Sequence, residues 1–304
     1  MYNNLDIYNK KVEFNNMTYS VDKLRLKTYI SYSDFKELEF FVNTYFKDKI
    51  KNFWVSDRIN CFHYNYNIEV EEGKSFSFHF MHNQESIDYN KNSKNYNFTI
   101  EFNPNKLRDD FLVCHILDSF GGWLLRSFDL AIDIPISPLD IVIDKGKKRS
   151  YKLFSAGGDK VTYYVGTKER DGYLKIYNKK YESDLPITGY LTRVEISRRY
   201  DDDFDLRGLV SYHFGEQFFP ILYLNRFVYS FSDITSKDKT TMALLYAVQS
   251  GYPLNDLSRE YKKKITNMLE AGSRIRFDEK SATQALRQCI FFYFMRKNSK
   301  QVFM

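Results

Sequence analysis

No run of about 18 uninterrupted apolar residues occurs in the 304-residue chain, so no helix is expected to span a bilayer. The N-terminus, MYNNLDIYNKKVEF, lacks an apolar core followed by a small-residue cleavage site, and the reading is an unsecreted, cytoplasmic protein. Cysteine is scarce. Cys61, Cys114 and Cys289 are odd in number, far apart and set among apolar neighbours, which excludes a disulfide framework and favours buried thiols over a thiolate metal cluster. A pair of histidines separated by one residue, which would place two imidazoles on one strand face, is missing. His79 and His82 in HFMH have two residues between them and face opposite ways on a strand. His63, His115 and His213 stand alone.

What is abundant needs care. Aromatic residues make up 18% of the chain, but they accompany many Asn, Lys and Ile, all residues with AT-rich codons, so aromatic content alone does not argue for base stacking. Hydrophobic residues at 43% and charged residues at 28% suit a folded chain of one large or two modest domains. The net charge is +6, and its location matters: from Thr235 to Met304, thirteen Lys/Arg face six Asp/Glu, so the excess positive charge sits in the last quarter. Such a patch suits a polyanion, and a solvated helical surface would carry it equally well.

Alternation is clean in the first half. Leu24 and Leu26 oppose Lys23, Arg25 and Lys27. Tyr64, Tyr66 and Ile68 share a side, as do Phe76, Phe78 and Phe80, and Phe98, Ile100 and Phe102. Between these strands Asp34 and Glu37 have capping-box spacing ahead of Phe35, Leu38, Val42 and Tyr45 at helical spacing. A second helix is expected to begin soon after Pro104. The order is strand, helix, three strands, helix, and it recurs from residue 121 onward as a weak pseudo-repeat ending in a helix-like 207–218 and a strand at 220–229. The fold class is therefore α+β: two topologically similar antiparallel-sheet halves with flanking helices, 1–120 and 121–234, followed by a basic helical region at 235–304.

One polar face stands out in the second half. GYLKIYNKKYE, residues 172–182, puts Tyr173, Lys175, Tyr177 and Lys179 opposite Leu174 and Ile176. Asp129 and Asp133 oppose Leu130 and Ile132, and Arg193 and Glu195 oppose Val194 and Ile196. Ionised groups on central strands need partners or solvent, so this face should line a cleft. Carboxylates such as Asp129 or Asp133 with Glu195 are hard ligands for a divalent ion, to which a phosphodiester would add its own oxygen. Four residues along a strand is about 13 Å, too far for Asp129 and Asp133 to share one ion directly; Asp129 is the favoured ligand, with Asp133 a second ligand or an outer group. A phenol titrates near 10, and nearby Lys175, Lys179 or Arg193 would favour a phenolate nucleophile. Any single tyrosine of the 25 is more often a packing residue, and only the combination on one face argues otherwise.

The segments SFDLAID at 127–133, TYYVG at 162–166, LKIYNKKYE at 174–182 and RVE at 193–195, in this order, resemble the replication initiation factor (Rep_trans) family. That family comprises rolling-circle plasmid initiators and related relaxases of conjugative elements. The resemblance covers about residues 95–200. It implies a metal-dependent strand transferase that nicks one strand at a double-stranded origin, remains linked to the 5′ phosphate through tyrosine, and leaves a 3′ hydroxyl as primer. Carried over by motif, the nucleophile falls on Tyr177 and the acidic positions on Asp129, Asp133 and Glu195, with Lys175 and Arg193 beside them and Tyr164 and Tyr173 as alternative nucleophiles. Ser127 and Lys175 stand where the family commonly has arginine. Mg²⁺ or Mn²⁺, origin DNA and a host helicase and polymerase are implied with it; a homodimer is compatible, and no membrane is involved. The C-terminal Lys262, Lys263 and Lys264 are candidates for phosphate contacts and Arg274 or Arg276 for base contacts. Tyrosine recombinases, which rely on a His-x-x-Arg arrangement, are excluded by its absence. A relaxase with the same chemistry, a non-catalytic nucleic-acid-binding protein and a scaffold remain the competing readings.

Overall fold

The computed structural model describes residues 12–14, 16–58, 62–82, 96–108, 110–144, 150–181, 189–206, 228–231, 236–271 and 275–294. Its strands are β1 (Val12–Phe14), β2 (Met17–Thr28), β3 (Ile50–Val55), β4 (Tyr64–Glu71), β5 (Lys74–Phe80), β6 (Phe98–Phe102), β7 (Leu124–Ile134), β8 (Ile141–Ile143), β9 (Tyr151–Ser155), β10 (Val161–Val165), β11 (Leu174–Asn178), β12 (Thr192–Asp205) and β13 (Val228–Ser230). The helices are α1 (Tyr32–Tyr45), α2 (Phe111–Ser119), α3 (Lys239–Gln249), α4 (Arg259–Ala271) and α5 (Glu279–Phe294).

Eleven strands form one antiparallel sheet in the order β3-β4-β5-β6-β2-β7-β12-β11-β10-β9, with β1 paired to β2. The expected α+β class and the paired halves are present. Each half enters through a long central strand, β2 or β7, departs to the outer edge, and returns inward strand by strand to lie beside its starting strand. The halves meet at β2 and β7 along a shared ladder, so a single sheet runs through both. In the large sheet each half has four strands outward of its central one, β1 aside, where three are expected; besides the short β1 and β8, the unexpected strands are β3 and β9. Both are outermost and mostly exposed, so neither carries the alternation that one dry face imposes.

The dry face is where the apolar residues of each strand meet. Leu24, Leu26, Ile68, Phe78, Phe98, Ile100, Phe128, Leu130, Ile132, Ile176 and Val194 are all fully buried in one continuous core. Each such side chain stabilises the fold by about 1.5–3 kcal/mol before chain entropy is counted. Helix α1 covers this face in the first half with Phe35, Leu38 and Val42. Its capping box uses Ser31 with Asp34, one step earlier than Asp34 with Glu37, and Tyr45 lies out in solvent instead of on the packed stripe. Helix α2 starts at Phe111, later than expected, because the Asp110 carboxylate caps it by accepting from the Val113 N–H. The helix-like 207–218 lies outside the described residues, as does most of the strand 220–229; its end forms β13, paired with β8.

Helices α3, α4 and α5 follow as the C-terminal pattern required. α3 and α4 enclose a smaller core with Val142, Leu245, Val248, Ile265 and Leu269. α5 instead joins the main core through Ala282, Leu286 and Ile290. Among the described residues no helix is long and apolar enough to cross a membrane.

Candidate functional site

Two cross-strand rows build the polar face of the second half. In one, Asp133 of β7 pairs with Arg193 of β12, which pairs with Tyr177 of β11. In the next, Ala131 pairs with Glu195, Glu195 with Lys175, and Lys175 with Tyr164. Asp129 pairs with Ser197, one step further along, which makes Asp129 and Glu195 diagonal neighbours about 7–8 Å apart at the backbone.

The Tyr177 hydroxyl donates to Glu195 Oε1 at 2.5 Å. The Lys175 ammonium sits 3.8 Å above the Tyr177 ring and 3.8 Å from Glu195 Oε2. Tyr177 itself is only 4% exposed, so its hydroxyl meets Glu195 and not bulk water. Tyr164 and Tyr173 stack on one another at 6.2 Å, with Phe154 edge-on to Tyr164. Burial raises the Tyr173 phenol above its ordinary pKa, and Tyr164 and Glu195 add to the effect.

Asp133 has a different fate. Arg193 donates to it from Nε at 2.6 Å and from Nη2 at 2.7 Å, and Lys179 reaches its Oδ2 at 3.2 Å. The remaining Arg193 arm bonds Asp22, which arrives from β2 in the other half. Burial works against the charged guanidinium, but Asp22 and Asp133 outweigh it and raise the Arg193 pKa. Asp22 escaped the sequence reading. It is the extra residue of a bulge, since Val21 pairs with Leu130 and Lys23 with Asp129, and the bulge lets it join Lys23 on the polar side. The visible signal was the two-residue polar gap between Val21 and Leu24 in a strand that otherwise alternates. Glu101, on β6 with Lys23 2.5 Å away, was missed too.

A cleft of 1030 Å³ is lined by Lys23, Glu101, Asp129, Lys175, Arg193 and Glu195 together with the β4–β5 turn; Tyr177, Tyr164, Tyr173 and Asp133 are not among its lining residues. Asp129 is held above its ordinary pKa by burial, which the Ser197 hydroxyl and Lys23 only partly offset. A carboxylate in that state gains from a cation. Asp129 and Glu195 therefore fit a divalent ion that takes two carboxylates and completes its shell with phosphate oxygens and water. Asp133, saturated by two cations, does not. Among the described residues no group of three or more His, Cys, Asp or Glu is gathered as a ready-made metal cage.

The C-terminal candidates lie elsewhere. Lys262, Lys263 and Lys264 are exposed on α4, where Lys264 pairs with Glu260 at 2.9 Å and Lys262 bonds Asn255. Arg276 is exposed just before α5, and Arg274 lies outside the described residues. None of these lines the cleft. Cys114 and Cys289 are half-buried and not joined in a disulfide; Cys61 is outside the described residues. His79 lies on the polar face of β5 with its Nδ1 2.9 Å from Asn65 Oδ1, while His82 stacks on Tyr32 at 3.9 Å.

No family model matches the chain. Two replication initiation proteins of Staphylococcus aureus are 33% and 32% identical to it over 115 residues, a match covering 34% of this chain and 36% of each relative. The similarity thus spans about a third of the length of these curated relatives. A solved rolling circle replication initiator protein from Geobacillus stearothermophilus aligns with a TM-score of 0.40 and 12% identity, over 84% of this chain and 97% of that one.

Two consequences of the geometry are measurable. Arg193→Leu leaves half-buried Asp22 without its counterion and buried Asp133 with Lys179 alone, and urea unfolding at pH 7 should show a loss of about 3 kcal/mol. A loss under about 1 kcal/mol would mean that the clasp is not structural. Desolvation of half-buried His79 lowers its pKa from 6.5 to about 4, with Arg25 adding to the effect. As pH falls, the unfolded chain takes up this proton first, so His79 contributes a loss of stability that begins near 6.5 and runs to about 4. Unfolding midpoints measured across that window should fall less steeply in His79→Gln, and parallel curves would refute the assignment.

Proposed function

We propose that this chain is a replication initiator of the rolling-circle type, which nicks one DNA strand at a double-stranded origin through Tyr177. The observation that carries this reading is the hydrogen bond from the Tyr177 hydroxyl to Glu195, under the Lys175 ammonium and at the edge of a cleft containing Asp129. The motif resemblance and the partial similarity to replication initiation proteins support it.

In this mechanism a phosphodiester enters the cleft and is drawn to Lys175 and Lys23. Lys175 then turns from the ring toward the phosphate and uncovers the phenol. Glu195 accepts the phenolic proton along the existing hydrogen bond while Tyr177 Oη forms a bond to phosphorus. The bond from phosphorus to the 3′ oxygen breaks, the 3′ oxygen takes a proton from solvent, and the 5′ phosphate stays on tyrosine. Asp129 and Glu195 would hold a divalent ion, Mg²⁺ or Mn²⁺, which when bound neutralises charge on the phosphate. Arg193 and Asp133 act by positioning the row. The free 3′ hydroxyl is the primer, and the host helicase and polymerase follow from the family resemblance. A relaxase would use the same chemistry on a transfer origin.

Wild type and Tyr177→Phe incubated with supercoiled plasmid carrying the element's own origin, with Mg²⁺ or Mn²⁺, test the reading. Wild type should relax the plasmid and form a covalent adduct, and the variant should lose both, the rate falling at least about a thousandfold. Retained nicking in the variant would move the nucleophile to Tyr164 or Tyr173. An inert wild type that still binds the origin would favour a binding protein without catalysis.

Duplex recognition is assigned to α4, whose Lys262, Lys263 and Lys264 would contact phosphates, with Arg276 and Arg274 as base contacts. Replacing the three lysines by glutamine should lower the slope of log affinity against log salt by about 2–3. An unchanged slope would remove α4 from the interface.

A further inference from the structure

The polar face of the first half repeats the plan of the candidate site with different residues. The two halves run in opposite directions about the Lys23–Asp129 pair of β2 and β7. Four residues along each strand from that pair, at Lys27 and Asp133, the rows running outward are Thr99, His79, Asn65 and Trp54 in the first half and Arg193, Tyr177, Thr162 and Phe154 in the second. In the adjoining row Glu101 stands where Glu195 does. The carboxylate is kept, but Lys23 and Arg25 both bind it. An imidazole replaces the phenol, so this half has no hydroxyl at the corresponding place.

A second feature is kept: an aromatic side chain on the outermost strand of each half. Trp54 is 49% exposed and Phe154 59%. The chain's other tryptophan, Trp123, is buried, with its indole N–H bonded to the Leu117 and Phe120 carbonyls. Beside Trp54 lies a groove of 700 Å³ into which Arg25, Arg58 and Arg126 reach along with Phe62 and Tyr96, and among the described residues no carboxylate lines it. A guanidinium has five N–H donors, so the bonds of Arg25 to Glu101 and of Arg126 to the Tyr200 carbonyl leave others for a ligand. Guanidinium groups with donors to spare suit phosphates, and an exposed indole beside them suits an unpaired base, whose face a duplex would hide.

We propose that this groove is a second, non-catalytic site for single-stranded DNA, with phosphates on the three arginines and a base stacked on Trp54. The inference rests on the strand chemistry proposed above. Groove and cleft adjoin across the Arg25–Glu101 pair. Seven strand spacings, about 34 Å, separate β11 from β3, so one displaced strand several nucleotides long reaches both. The first half would thereby hold the strand that the second half cuts.

Trp54 is the exposed indole, so its fluorescence reports on the groove directly. A Tyr177→Phe chain, which cannot become covalently linked, is titrated with oligo(dT) and with an abasic oligonucleotide of equal length. Oligo(dT) should quench the fluorescence; Trp54→Leu should weaken its binding about tenfold by anisotropy, and Trp54→Phe should retain most of the affinity. The abasic strand should bind more weakly and be indifferent to Trp54→Leu. The proposal is overturned if oligo(dT) causes no quenching and Trp54→Leu binds it as tightly as Trp54→Phe, or if the abasic strand binds as tightly as oligo(dT). The wild-type nicking assay separates the two ideas. Nicking without any Trp54 effect defeats the groove alone, and a Trp54 effect without nicking upholds the groove and defeats the nuclease.

Discussion

A guanidinium enclosed by two carboxylates joins the halves of this protein. Arg193 comes from β12, Asp133 from β7 beside it, and Asp22 from β2 on the other side of the seam. Both Arg193 and Asp133 have side chains only 7% exposed, and isolated charges at such depth would be costly. Each is tolerable only because the others are in place. The bulge that admits Asp22 is thus tied to the register of β2 against β7, and with it to the line along which one half's cleft meets the other half's groove.

The same sheet explains why charge can accumulate on one face at all. The inner strands β2, β4–β7 and β10–β12 contribute their apolar residues to one core below, which leaves their polar set no choice but the opposite side. There the groups sort by partner. Asp133 is satisfied by Arg193 and Lys179, and Glu101 by Lys23 and Arg25. Asp129 is the less satisfied member, half-buried and raised above its ordinary pKa, and Glu195 spends one oxygen on a phenol. A face whose carboxylates are unequally neutralised has a place where an incoming cation or proton is worth most, and that place lies beside Tyr177.

Two halves built to one topology carry different side chains on corresponding strands. Tyr177 and Arg193 in the second half stand where His79 and Thr99 stand in the first, a phenol against an imidazole and a guanidinium against a hydroxyl. The exposed aromatic on the outer strand of each half is common to both. Neither difference disturbs the dry face, which is why the fold accommodates both.

Period-two alternation in residues 23–27, 64–70, 76–80, 98–102, 128–134, 174–177 and 193–196 determined by itself which face of each strand would be dry, because burial of one side dictates every second residue. The grouping of Tyr177, Lys175 and Glu195 on one side was legible for the same reason. The edge strands β3 and β9 were not, since an exposed strand is under no such constraint, and neither was Asp22, whose orientation depends on a bulge. Only the tertiary structure decided which carboxylate keeps a free hand. Asp133 and Asp129 look alike on β7, but Arg193, sixty residues on in the chain, falls opposite one and Ser197 opposite the other. Cross-strand register couples residues too far apart for any local pattern to encode.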